Sequence, residues 1–422
     1  MISSKFLLQT FWLVLAQFLV ISRTIAQTTP PVYVVLFTHI EDNIPVGELG
    51  TPESRQSYLV WHDRLIAVAD LFHRHQVKWV FEADWKFLLA ALMYEDSTLQ
   101  SRTNHKNLLR YLKEDLSVAI DPHSHENGGY NYTDVAHLLD SLGVGGSTVI
   151  GGHVWDPTLP QFAEWDRFRV PQPGAKYPWA WWRGDILMGS ATPSHVNDPI
   201  VSGVWRPKDR DHLFEDDSLG NIVCVGQYKD AKGQYKSYLQ SIMELIDLYA
   251  TAQVPPQYML TTSKHVSPGD ITAPFGLQNI EDSLLVPLRN LEQMGKVKLT
   301  YFTALVADWR TIFQSRAFSY HPDQPSQIKA VPVLPHAIQL YQNYPNPFNP
   351  STVISFQLPV NSRVTLKVLD MNGREVATLV DGELNPGEHS VVLYASKLAS
   401  GVYFCCLTTP TFSQTKAIEV VK

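Results

Sequence analysis

Two histidines with one residue between them, His123 and His125, are the sharpest chemical feature of the chain. On an extended segment their rings project to the same side. Neutral imidazole is a favoured ligand for zinc and similar divalent ions. A carboxylate such as Asp42 would complete three protein ligands and leave one position open for water. Two solvated loop histidines are the bland alternative. Glu41 beside Asp42 suggests divided labour, one carboxylate holding the ion while the other takes a proton from water; an ordinary acidic loop has the same composition. His39, two residues before Glu41, is a rival ligand. Glu82 and Asp84 form a second same-side acidic pair, suited either to glycosidase chemistry or to capping the next helix. His153 and His265 could each be a ligand, a general acid or a loop histidine.

Aromatic residues accompany these groups. Trp85 and Trp155 follow two of the acidic or histidine-bearing segments, and Trp179, Trp181 and Trp182 precede Arg183. An arginine among such rings suits a carboxylate clamp or sugar stacking, with plain loop packing as the alternative. Trp85, Trp155, Trp181 and Trp182 are the candidate substrate-stacking rings.

The pattern of elements explains why these residues should converge. Val32 to Phe37, Val77 to Phe81, Val118 to Ile120, Thr148 to Ile150, Tyr258 to Thr262 and Val297 to Phe302 read as buried strands. Leu59 to His73, Leu108 to Leu116 and Val135 to Leu142 read as helices between them. Buried strands alternating with helices predict an α/β fold with a parallel sheet, open or closed into a barrel. In such folds active groups gather at the C-terminal ends of strands. The segments after these strands are His39-Ile40-Glu41-Asp42, Glu82-Ala83-Asp84-Trp85, Asp121-Pro122-His123-Ser124-His125, Gly151-Gly152-His153 and Ser263-Lys264-His265. The span from Asp156 to Gln227 is loop-rich and aromatic, and its pattern assigns no elements.

The remainder of the 422 residues sets the cellular context. Residues 1–26 have a charged start, an apolar middle and small residues at Thr24 and Ala26, the three parts of a secretory signal cut after Ala26. No later segment is apolar enough to span a membrane, so no retained transmembrane helix is expected. Residues 27–319 form the large first domain, 320–336 a proline-rich linker and 337–422 a small all-β domain. In that last domain Ile354, Phe356 and Leu358, and Val364, Leu366 and Val368, alternate with polar residues. Asn372-Gly373 and Pro386-Gly387 mark turns, and six or seven short strands predict an Ig-like sandwich. Adjacent Cys405 and Cys406 should point to opposite faces of a strand, and only three cysteines argue against a disulfide framework. A net charge of -7 argues against a nucleic-acid partner.

Two resemblances follow. Tyr344-Pro345-Asn346-Pro347-Phe348-Asn349-Pro350-Ser351-Thr352, Leu369-Asp370-Met371-Asn372-Gly373-Arg374-Glu375-Val376 and Ser400-Gly401-Val402-Tyr403-Phe404 resemble, in order, the motifs of the type IX secretion sorting domain. The resemblance implies that the type IX translocon reads residues 337–422 and delivers the chain through the periplasm to the medium or outer cell surface. The first domain resembles the polysaccharide deacetylase family of the glycoside hydrolase/deacetylase superfamily, through Ile40-Glu41-Asp42-Asn43, the passage Ala69 to Phe81 and His123-Ser124-His125. That resemblance implies a distorted, seven-stranded β/α barrel that hydrolyses a polysaccharide or peptidoglycan-like substrate. By it Glu41 is the base, Asp42, His123 and His125 hold a divalent metal such as zinc, and Arg183 and His265 assist catalysis. Glu41 stands where the family has aspartate, no Gly-Pro follows, and Asn127 occupies the place of the family's second histidine. A glycosidase of the same superfamily and a non-catalytic glycan-binding surface protein are the alternatives.

Overall fold

The computed structural model describes residues 29–189, 200–228, 235–322, 338–343, 345–385 and 387–421. The expected leader at 1–26, most of the 320–336 linker, Tyr344 of the sorting motif and Pro386 of the second turn lie outside the described residues. Among the described residues no helix is long and apolar enough to cross a membrane. The described residues form two compact units.

The first unit is α/β. Strand β1 (Val32–Ile40) is its axis. Val32 to Phe37 are at most 2 % exposed, because β1 has parallel partners on both edges. Strand β8 (Thr261–His265) pairs along Tyr33–Phe37. On the other edge β9 (Val297–Thr300) takes the first half of β1, and β2 (Val80–Ala83) takes the second. Strand β3 (Ala119–Pro122) pairs with β2. A central parallel strand must be apolar on both faces, which accounts for the unbroken Val-Tyr-Val-Val-Leu-Phe run.

A second sheet is built from β4 (Val149–Ile150), β5 (Ile186–Met188), β6 (Ser202–Trp205), β7 (Val223–Val225) and β10 (Phe318–Tyr320), in the order β10-β6-β7-β5-β4. Three of these strands lie in the span from Asp156 to Gln227. They are three or four residues long, too short to show a period. The two sheets meet at both margins. His123, just after β3, bridges to Gly151, just after β4. At the other margin the Thr261 hydroxyl donates to the Gly226 carbonyl at 2.9 Å, and the Gly203 N–H donates to Thr261 Oγ1 at 2.9 Å. Tyr33, Val35 and Phe37 from the first sheet share one core with Val149, Ile186, Met188, Val223 and Val225 from the second.

Local signals set the helix limits. Helix α1 (Pro52–Arg74) starts seven residues before the expected Leu59. Thr51 accepts a hydrogen bond from the Ser54 N–H, Pro52 sits in the first turn, and Glu53 faces the positive end of the helix. Helices α2 (Trp85–Tyr94), α3 (Leu108–Glu114) and α4 (Tyr132–Ser141) follow β2 and β3. The last expected strand stops at Thr300, and Phe302 instead opens helix α5 (Phe302–Thr311). Phe302, Leu305, Val306 and Trp309 have helical spacing and all enter the shared core.

The second unit is all β. Strands β11 (Gln339–Leu340), β12 (Ser351–Leu358) and β15 (Gly387–Tyr394) form one antiparallel sheet. Strands β14 (Glu375–Leu384), β13 (Ser362–Leu369), β16 (Gly401–Thr409) and β17 (Phe412–Val420) form the other, in that order. Ile354, Phe356 and Leu358 of one sheet and Val364, Leu366 and Val368 of the other bury into one cluster, as their alternation requires. Gly373 turns β13 into β14 at φ +77°. Cys405 is buried and Cys406 half-buried against Thr415, on opposite faces of β16.

Candidate metal centre and active site

Parallel register places His39 beside Glu82 and Glu82 beside Asp121. His39 and Glu41 share a face at the end of β1, because residues two apart on a strand do so. The His39 ring stacks between His265, with centroids 3.9 Å apart, and His123, at 4.4 Å. Phe37 also stacks on His265, at 5.2 Å, and lies 6.1 Å from His39. His123 and His125 follow β3 with Nε2 atoms 3.4 Å apart. Glu41 Oε1 lies 3.5 Å from His39 Nε2 and 3.6 Å from His125 Nε2.

These spacings fit a cation. Ligand atoms of His39, Glu41 and His123 all lie within 4.8 Å of one another. Nitrogen and oxygen ligands about 2.0–2.1 Å from a tetrahedral ion would stand about 3.4 Å apart. Hydrogen bonding to His125 and His39 holds the Glu41 carboxyl well below its ordinary range, so it is ionised. Asp42 is outside this group; its charge acts on Asp84 instead. The structure thus brings His123, His125 and Glu41 together with His39.

A buried carboxyl supports the cluster. His123 Nδ1 is 3.1 Å from Glu82 Oε2. Burial, with Asp121 nearby, pushes the Glu82 carboxyl well above its usual range, and burial drives the His123 imidazole well below its own. Both shifts favour the uncharged form of each group. A cation at Nε2 would favour the carboxylate form, with Nδ1–H donating to it. Two glycines make room for this pair, a requirement the sequence reading missed. A Cβ on Gly151 would lie 2.9 Å from Glu82 Oε2. One on Gly152, whose φ is +79°, would lie 3.0 Å from His123 Nε2. The adjacent Gly-Gly at a strand end was the available signal.

Asp84 has two roles open to it. Its Oδ1 accepts the Trp85 N–H at 2.6 Å and caps α2. Its Oδ2 is buried without a hydrogen-bond partner among the described residues. Burial pushes its carboxyl up to about 7, opposed by the Trp85 N–H and His125 and assisted by Asp42 and Glu41.

The other candidates spread out. Arg183 precedes β5, at the end opposite to the histidines, with its guanidinium 3.8 Å from Asp185. Trp85 stacks on Tyr130 at 4.7 Å, next to Asp84. Trp155 is 1 % exposed and donates its indole N–H to the Met188 carbonyl at 3.1 Å, so it packs the core. Trp182 stacks on Tyr132 and donates to the Ser147 carbonyl at 2.9 Å. Trp181 is 65 % exposed.

No curated protein matches the chain. Among solved structures, PorZ, a surface component of the type IX secretion system of Porphyromonas gingivalis, is 21 % identical with a TM-score of 0.15; the match covers 20 % of this chain and 12 % of that one. A Parabacteroides distasonis protein described as a glycoside hydrolase/deacetylase is 10 % identical with a TM-score of 0.42, covering 85 % and 87 % of the two chains. An endo-β-1,4-mannanase of Cellulomonas fimi is 12 % identical with a TM-score of 0.20, covering 92 % and 77 %. These scores are too low to transfer a fold or an activity. Residues 342–421 match the secretion system C-terminal sorting domain, and this tail destines the chain for the cell surface or the extracellular medium.

Proposed function

We propose that the first unit is a metal-dependent hydrolase acting on an exported polysaccharide or peptidoglycan-like substrate. The observation that carries the reading is the convergence of His39, Glu41, His123 and His125, with pairwise spacings of 3.4 to 3.6 Å along the chain of donors. In this reading the two sheets close into a distorted barrel of seven strands, β1, β2, β3, β4, β5, β7 and β8. The His123–Gly151 bridge and the Thr261–Gly226 hydrogen bond supply the two joins between sheets.

His39, Glu41, His123 and His125 would hold the ion. A divalent cation there would supply Lewis-acid polarisation of a substrate oxygen and a more acidic water. Glu41 contributes a fixed negative charge. Asp84, with a carboxyl near 7, accepts a proton from the attacking water as general base. His265, stacked on His39, would enter the cycle protonated and give that proton to the leaving group, and the proton taken up by Asp84 would restore it through solvent. Glu82 fixes the His123 ring and its tautomer.

The carbohydrate assignment rests on an aromatic track. Trp85 stacks on Tyr130, Tyr130 meets Tyr177 at 6.4 Å, and Tyr177 meets Trp179 at 5.7 Å. Trp179 ends the track 70 % exposed. Rings of this kind offer flat apolar faces to sugar rings while leaving polar edges wet.

One observation favours a second reading, a glycosidase. Glu41 is held ionised while Asp84 is held near 7, and carboxyls pushed apart in this way can divide acid and base roles.

Metal analysis of the purified full-length chain decides between the two. One equivalent of divalent metal, absent from a His123→Ala, His125→Ala double variant, is expected. No metal in either protein, and no binding of added zinc, would remove the metal mechanism.

A further inference from the structure

Among the described residues the two sheets of the second unit end in four edge strands, β11, β15, β14 and β17. An edge strand presents unpaired backbone N–H and C=O groups to any strand that approaches it. Three of these edges are guarded, each by a different device. Strand β11 is only two residues long. The outer edge of β17 is covered by Gln342, Asn346 and Phe348. The Phe348 N–H donates to the Glu419 carbonyl at 2.9 Å, and the Val421 N–H donates to the Phe348 carbonyl at 3.1 Å. The Asn346 side chain accepts the Glu419 N–H at 2.8 Å, and the Gln342 amide donates to the Ala417 carbonyl at 2.7 Å. Strand β14 shifts register against β13 twice and carries Glu375, Asp381 and Glu383. Bulges and charges of this kind keep a further strand from adding.

Strand β15 has none of these devices. It pairs with β12 in unbroken register, from Ser351 opposite Tyr394 to Leu358 opposite Gly387. Among the described residues no strand pairs with its other edge. From Ser390 to Tyr394 it holds no charged residue and no proline. Ser390, Val392 and Tyr394 share the outward face, with Val392 46 % and Tyr394 63 % exposed. Opposite them on β12 stand Ser355, Val353 and Ser351, so this face is regular and uncharged up to its open edge. Such an edge is a template for another strand.

Symmetry and charge select the occupant. Antiparallel pairing of β15 with its own copy obeys a two-fold axis. An axis at Val391 sets Ser390 opposite the partner's Val392 and keeps the outward side chains of both copies on one face. Residues 388 to 394 of the two strands then overlap, and no two charged residues come opposite each other. From Ser390 to Tyr394 the strand offers a foreign chain no charge to select it by, whereas its own copy matches by symmetry. We propose that β15 is a self-association edge, through which two copies of this chain join their β11–β12–β15 sheets into one sheet of six strands. With one open edge per chain, the assembly closes at two. A single strand pair is a small interface, so the dimer exchanges with monomer.

Sedimentation velocity of the full-length chain over a range of concentrations tests the edge. A monomer–dimer equilibrium with its midpoint below about 100 µM is expected. Val392→Lys sets two like charges beside the axis at an exposed position and should weaken dimerisation at least tenfold. Val376→Lys, at an exposed position on the guarded β14 edge, is the control and should leave the equilibrium within twofold. A wild-type chain that stays monomeric throughout, a Val392→Lys variant that dimerises like the wild type, or an equal loss with Val376→Lys would each overturn the proposal. If Val392→Lys does not fold, amide hydrogen exchange of the wild type decides. Protection of the backbone from Ser390 to Tyr394 should rise with protein concentration, and protection that stays constant would overturn the proposal.

Discussion

His123 Nε2 and His125 Nε2 face each other across 3.4 Å, while the other nitrogen of His123 rests 3.1 Å from the buried Glu82 carboxyl. Two imidazole nitrogens that point together cannot both keep a lone pair there without an electrophile or a proton between them. The backing carboxyl decides how basic His123 is toward that partner.

Glu82→Gln should therefore weaken zinc binding about 10- to 100-fold, the usual cost of losing such a backing group. Competition against a chromophoric chelator measures this. The metal-free variant should be at least as stable as the wild type, because glutamine removes a buried ionisable group and still meets His123. Unchanged zinc affinity would show that Glu82 only packs.

Asp84 links pH to stability. Its carboxyl is pushed up to about 7 by burial, against about 4 in an unfolded chain. The folded state thus holds this proton more tightly. The resulting stability is complete below about pH 4 and is lost as pH rises through about 7, a contribution on the order of 2–4 kcal/mol. Asp84→Asn keeps the helix cap and cannot ionise. Between pH 4 and 8 its urea midpoint should fall less than that of the wild type. Parallel curves for the two proteins would place the Asp84 titration elsewhere.

Gly152→Ala meets two obstacles at once, a φ of +79° and a contact at 3.0 Å with His123 Nε2. The strained backbone alone should cost about 1–3 kcal/mol in chemical denaturation. Displacement of His123 should also lower zinc affinity. Wild-type stability together with wild-type zinc affinity would mean that the loop relaxes freely.

Two tryptophans should respond in opposite ways. Trp155→Ala empties a core position and should cost about 3–5 kcal/mol. Trp179→Ala, at an exposed position, should change stability by less than about 0.5 kcal/mol and weaken retention on a polysaccharide affinity gel. Equal retention of the Trp179 variant would remove this ring from the glycan track.

Much of this protein was legible in the chain itself, because periodicity and motif order are local properties. The β1 run, the alternation of Ile354, Phe356 and Leu358 and of Val364, Leu366 and Val368, and the sorting motifs each carry their signal within a few residues and appear as read. In β16 the alternation is out of phase, with Tyr403, Cys405 and Leu407 buried rather than Val402 and Phe404. The same logic placed chemical groups at strand ends, and His39 was visible as a rival ligand from its spacing to Glu41. Tertiary structure decided the rest. Which of Glu41 and Asp42 turns toward the histidines depends on the chain's path after β1. Whether Trp155 stacks on a ligand or fills the core depends on what folds over it. His153 lines a cavity beside His125 that joins residues up to 44 positions apart, from Ser124 to Phe168. The short strands between Asp156 and Gln227 owe their form to a shared core that no window of that segment contains. Burial, and with it the charge state of Glu82, Asp84 and His153, arises from neighbours distant in sequence, so it exists only once the sheets have come together.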